Sequence, residues 1–186
     1  MKKLVMFSMM LALLVVFSSC SKKADLGEVE VNVPSWFANP PSDENHIYGI
    51  GMGKSKNMQI AINKAKQEAT VDIAKKLEQK VMAMTKKFAQ EVGDAEDPQL
   101  YQMFEEVSKS VVSQTLNGVQ VKEQKIMQNK KTGTFVVYML MEMPLGKLNK
   151  ALYYKIQQME ALKTKLEASK SFKELEQEVQ KLESQQ

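Results

Sequence analysis

Residues 46–69 read HIYGIGMGKSKNMQIAINKAKQEA, and the fold turns on how their glycines are counted. Gly53, Lys54 and Ser55 end like a phosphate-binding loop. That loop, G-x-x-x-x-G-K-[ST], needs its first glycine at residue 48, where Tyr48 stands. Gly49 comes one residue too late, so the backbone is too short to wrap a phosphate. The dinucleotide fingerprint G-x-G-x-x-G fails as well, because Gly49, Gly51 and Gly53 are spaced evenly by two. Spacing by two is the period of a strand, which puts the three glycines on one bare face and Tyr48, Ile50 and Met52 on the other. A bare face lets a second backbone approach closely. Ala61, Ala65 and Ala69 recur at every fourth position of the segment that follows, and this alanine face is expected to pack on the glycine face.

Outward from this stretch, the pattern turns helical. Ile62, Ala65, Ala69, Ile73, Leu77, Val81, Met84 and Phe88 step by three or four residues, predicting an amphipathic helix from about 58 to 92. Asn57 is its expected N-cap and Gly93 its stop. GDAEDP then leads into a second helix, with Asp97 as cap and Pro98 at the first position. Leu100, Phe104, Val107 and Val111 form its apolar face, and Asn117-Gly118 ends it. GVQVKEQKIMQ and TFVVYMLMEM flank the turn-rich NKKTG and predict a hairpin. The second run is apolar on both faces, like a central strand, whereas Lys122, Glu123 and Lys125 suit the first to an edge.

After Pro144 the chain contains no proline and, beyond Gly146, no glycine. Leu152, Ile156, Met159, Leu162, Leu166, Phe172, Leu175, Val179 and Leu182 keep an imperfect helical spacing, interrupted near Ser169. This predicts a long C-terminal helix over 145–186, a possible coiled coil of roughly 55 Å at about 1.5 Å per residue. It would either pair with another chain or fold back. Ahead of the core, Val29, Val31 and Val33 would share a strand face. In SWFANPPSDEN, Trp36 and Phe37 are expected to be buried.

The first twenty residues, MKKLVMFSMMLALLVVFSSC, address the chain. Lys2 and Lys3 precede an apolar run from Leu4 to Phe17, then two serines and Cys20. This is an export signal, too short for a spanning helix. Its cysteine resembles that of a bacterial lipobox, with Phe17 where that pattern favours leucine. The resemblance implies a signal peptide over 1–19, lipid on Cys20 and a tether over 20–33. Cys20 is the one cysteine, so lipidation there leaves no thiol for a disulfide or metal cluster. Multiple acyl chains would hold the mature protein stably on a membrane.

Charge argues against nucleic acid. All 26 basic residues are lysine, and arginine is the preferred bidentate reader of phosphate and guanine. Loss of Lys2 and Lys3 would leave 24 lysines against 22 acidic residues, close to neutral. Neither nucleic acid nor nucleotide is expected as a partner.

PSWFANPP, HIYGIGMGKS and QIAINKAKQEATVDIAKKL, in this order and followed by the GVQV…TFVVYMLME hairpin, resemble the LPP-twenty family of membrane-associated lipoproteins. Trp36, Pro40, Tyr48, Gly49 and Gly51 match its motif and are read as fold determinants. The resemblance implies an α+β fold over 34–144, a small antiparallel sheet with a long helix packed on it in dodecin-like β-α-α-β-β order. It also implies an outer-membrane lipoprotein, facing the periplasm or the cell surface, with no established catalysis.

Other chemistry is sparse. His46 is the sole histidine, with Ser42, Asp43 and Glu44 nearby, and no nucleophile motif accompanies it. Asp94, Glu96 and Asp97 lack the ordered spacing of an EF-hand. The expectation is therefore a non-enzymatic, lipid-anchored envelope protein with no cofactor and no metal. An unidentified envelope partner is expected, and a homo-oligomer is possible. A small-ligand binder or enzyme around His46, or a spacer built on the C-terminal helix, is the alternative.

Overall fold

The computed structural model describes residues 33–185. Cys20, the signal and tether segments, and Val29 and Val31 lie outside the described residues; Val33 is not in a strand. A short helix α1 (Ser35–Ala38) precedes strand β1 (His46–Ser55), helix α2 (Met58–Val92) and helix α3 (Pro98–Leu116). The hairpin β2 (Gln120–Asn129) and β3 (Thr134–Pro144) follows, then α4 (Leu145–Gln157), α5 (Glu160–Leu166) and α6 (Lys170–Ser184). The sheet is antiparallel throughout, in the order β1-β3-β2. This is the expected α+β architecture, with the doubly apolar β3 at its centre.

The local stops and starts have the expected chemistry. The Asn57 side chain accepts from the Ile60 amide at 3.1 Å, and Asp97 accepts from the Gln99 amide at 2.8 Å. Gly93 ends α2 at φ 83°, a left-handed conformation that favours glycine. Ala61, Ala65, Ala69, Ile73, Leu77 and Val81 are fully buried along α2, while Ile62 and Met84 are only half-buried.

The glycine and alanine faces do meet. A Cβ built on Gly49 would lie 2.5 Å from the Ala69 carbonyl oxygen, and on Gly51 and Gly53 it would lie closer still to the carbonyls of Ala65 and Ala61. Rise explains the match. Two strand residues advance about 6.7 Å and four helical residues about 6 Å, so every second glycine faces every fourth alanine. The correspondence runs Gly49 to Ala69, Gly51 to Ala65 and Gly53 to Ala61, so α2 runs back antiparallel to β1.

Such close approach puts the polar side chains of α2 within reach of the outer edge of β1. The Ile50 amide donates to Asp72 Oδ2 at 3.1 Å and the Met52 amide to Glu68 Oε2 at 2.8 Å. Lys76 Nζ donates to the Tyr48 carbonyl at 2.8 Å. Backbone groups that an edge strand leaves unpaired are thus met by a helix.

The tail is helical as expected, but it is not one helix. It breaks at Gln158–Met159 and again at Glu167–Ser169, and its three helices fold back on α2 and α3. Leu148, Leu152, Ile156, Leu162, Leu166 and Val179 are fully buried. This corrects the expectation of one unbroken helix, and of the two arrangements left open the tail takes the fold-back. At the second break Ser169 caps α6, accepting from the Phe172 amide at 3.1 Å. Glu91, at the end of α2, accepts from the Ser169 hydroxyl (2.7 Å), the Ser171 amide (2.7 Å) and the Ser171 hydroxyl (2.5 Å). A carboxylate at a helix N-terminus is favoured by both the free amides and the dipole.

These bonds, the Ser171 hydroxyl first, hold the Glu91 carboxyl down at about 2. A depressed carboxyl contributes stability that is complete above its ordinary value near 4.5 and is lost as pH falls towards 2. Glu91→Gln should therefore be less stable than the wild type at neutral pH. The gap between the two, read by urea denaturation at a series of pH values, should close across that window.

Candidate functional site

Three places on the domain carry side chains that could act. The first lies on the sheet face opposite α2, where the alternation of β1 and β3 places Tyr48, Tyr138, Leu140 and Glu142. Here Asp43 is a hub. Its Oδ1 accepts from the Asn45 amide (2.8 Å) and from His46 Nδ1–H (3.0 Å), and its Oδ2 accepts from the Tyr48 hydroxyl at 2.5 Å. Lys122 Nζ lies 4.9 Å above the Tyr48 ring centre, donates to Glu142 Oε2 at 2.7 Å and reaches the Tyr48 hydroxyl at 3.4 Å. Lys122 stands at a register shift between Val121 and Glu123, and a β-bulge of this kind re-aims a side chain.

Asp43, Tyr48 and Lys122 are each held in their ordinary charge state more firmly than in water. The Tyr48 hydroxyl, then the neighbouring amide and imidazole, keep the Asp43 carboxyl far below the usual carboxylate range. The same bond to Asp43, helped by burial, pushes the Tyr48 phenol up. Glu142 and then Tyr48 push the Lys122 ammonium up. The arrangement therefore resists proton exchange near neutrality and latches the loop before β1 onto the sheet. Among the described residues His46 hydrogen-bonds Asp43 alone, so the structure brings it together with Asp43 but with no serine or threonine hydroxyl.

The second place is a cleft of about 620 Å³ between the second half of α2 and α3, with Met82, Thr85, Ala89, Leu100, Tyr101 and Phe104 among its walls. Met82 and Tyr101 are exposed at its mouth, at 50% and 56%. Asp94 and Asp97, the acidic pair of the connecting loop, are tied to Lys165 at 3.1 and 2.8 Å. The Lys165 contact leads the effects that lower the Asp97 carboxyl. The third place is a cleft of about 530 Å³ between α3 and α4, with Lys147, Lys150, Lys155 and Tyr154 among its walls.

The motif residues divide by role. Gly49 and Gly51 sit at the helix–strand seam, and Tyr48 sits in the Asp43 network. Trp36 and Phe37 are half-buried rather than buried, because they lie across the outer sheet face. The Phe37 ring meets Tyr138 edge-on at 4.9 Å, and Trp36 stands 6.2 Å beyond it. Pro40 is exposed. Lys122 and Glu142 are functional candidates that pattern reading missed, since a charged strand position looks like an ordinary edge and a bulge leaves no mark on alternation.

The seam, the aromatic segment laid across the outer face and the latch before β1 define a helix-on-sheet module. Among the described residues no helix is long and apolar enough to cross a membrane. The family model described as LPP20 lipoprotein matches residues 34–142, more than half of the chain and nearly the whole span from Pro34 to the end of β3. The chain belongs to that family and is a lipoprotein, associated with a membrane. No curated protein and no solved structure matches it.

Proposed function

We propose that the chain is a non-enzymatic protein of the outer membrane, anchored by lipid on Cys20, whose domain makes contacts with another envelope protein. The observation that carries this is the α2–α3 cleft. Its walls are mainly apolar, and Met82 and Tyr101 stand exposed at its mouth. Flexible methionine and amphipathic tyrosine are residues that partner surfaces favour. The firmly held charges around Asp43 support a structural role for that cluster.

Cys20→Ala should move the protein from the outer-membrane fraction to the soluble one, and persistence in the membrane would defeat the anchor. A photo-crosslinking residue at position 82, used in intact cells, should trap one discrete adduct that is lost on Tyr101→Lys. An adduct pattern unchanged by Tyr101→Lys would defeat the cleft. A second reading, a small-ligand binder or enzyme, draws on the Asp43–His46 pair at 3.0 Å, in which the imidazole is 35% exposed. His46→Ala separates the two, since only the second reading expects it to abolish the cellular phenotype.

A further inference from the structure

The two edges of the sheet are treated differently. The β1 edge is occupied by Asp72, Glu68 and Lys76 from α2. The amides of Ile50 and Met52 point to that edge, so Gly49 and Gly51 bond β3, and by alternation the even-numbered residues of β3 bond β2. Their partners on β2 are Glu123, Lys125 and Met127. Gln124, Ile126 and Gln128 must then direct their N–H and C=O groups to the outer edge of β2, where among the described residues no hydrogen bond meets them. Nearly every β2 side chain is exposed, and Ile126, an apolar residue, is 40% exposed.

The geometry points to a second copy of this chain on that edge, β2 against β2 about a twofold axis at Ile126. The bulge at Lys122 breaks the alternation between Val121 and Glu123 and leaves Glu123–Asn129 regular. A twofold at Ile126 uses that whole regular stretch. Ile126 then faces Ile126 of the other copy, Gln124 faces Gln128, Lys125 faces Met127 and Glu123 faces Asn129. Gln124, Ile126 and Gln128 form hydrogen-bonded pairs, each exchanging two bonds. No like charges are opposed within the stretch, and the exposed isoleucines cover each other. Shifting the axis by one residue to Lys125 opposes two lysines, and shifting it to Gln124 drives the bulge of each copy into the ladder. The lysines and bulge that guard this edge rule out those two shifts, and shifting the axis to Met127 shortens the paired stretch to Lys125–Asn129.

The test uses the full chain carrying Cys20→Ser, in mild detergent, with mass read by light scattering corrected for bound detergent. The expected mass is that of two chains. Ile126→Pro removes an amide hydrogen that bonds nothing within the chain, so it should leave the circular dichroism unchanged and halve the mass. A one-chain mass for the parent, or a two-chain mass for a folded Ile126→Pro, would overturn the proposal. A register readout holds even if that variant fails to fold. Hydrogen-bonded partners across the twofold lie about 5.5 Å apart at Cα, within disulfide range. Mild oxidation should thus link Ile126→Cys chains into dimers and leave Gln124→Cys chains unlinked. The reverse pattern would refute this register.

Discussion

Gly51→Leu is expected to abolish the stable fold, or to lower its melting temperature by upwards of about 6 °C, on a scale of about 2–4 °C per kcal/mol for a chain of this size. The first carbon of the new side chain would sit inside 2.5 Å of the Ala65 carbonyl and the Ala69 amide nitrogen. Both obstacles are backbone, so no rotamer relieves them. Overpacking a core typically costs about 1–3 kcal/mol, and a clash that must lift a helix off a strand belongs at or above the top of that range. It would also pull Glu68 and Asp72 away from the amides of Met52 and Ile50. Met52→Leu, one residue along on the open face at 43% exposure, is the control and should leave the melting temperature nearly unchanged. Thermal denaturation of the pair measures both. Equal melting temperatures would mean that the seam does not hold the helix on the sheet.

Phe172→Ala should have an effect of the same order. Phe172 is buried in α6, with Phe88 of α2 edge-on at 5.8 Å and Tyr153 of α4 stacked at 6.0 Å. Truncating a buried phenylalanine costs about 3–5 kcal/mol, a large part of the roughly 5–15 kcal/mol that holds a typical domain. The urea midpoint should fall accordingly. Removal of everything after Pro144 should be worse. It would strip Leu148, Leu152, Ile156, Leu162, Leu166 and Val179 from the core and expose the faces of α2 and α3 that they cover. The expected product is insoluble. A soluble, cooperatively melting product would show that the tail is an appendage after all.

The tail is also where pattern reading fell shortest. Its residues are almost all good helix formers, so propensity alone favours one helix. Two turns instead let its apolar positions reach α2 and α3, and tertiary burial prevailed over local preference. The interruption near Ser169 was the one local sign, and it marks the second break; Gln158–Met159 carries no glycine or proline. By contrast the β1–α2 seam was legible because spacings of two and four identify strand and helix without reference to anything distant. Asn57, Gly93 and Asp97 were legible for the same reason, since caps are local chemistry. Asp72, Glu68 and Lys76 read as a solvated helix face, because their partners are backbone groups, which leave no trace in side-chain pattern. The Asp43–Tyr48–Lys122 cluster includes a contact between Tyr48 and Lys122, 74 positions apart, made through a bulge, so neither periodicity nor motif spacing reaches it.

The occupied edge of β1 has a bearing on how far association can go. A sheet with two open margins can add copies at both and grow into a filament. Here one margin is already filled by the chain's own helix, so pairing at the other consumes the last available ladder. Two molecules joined at β2 would present only closed borders to a third. In such a pair the glycines that draw α2 down onto β1 would act as a chain terminator, and a self-adhesive protein gathered on a membrane would stop at two copies instead of polymerising.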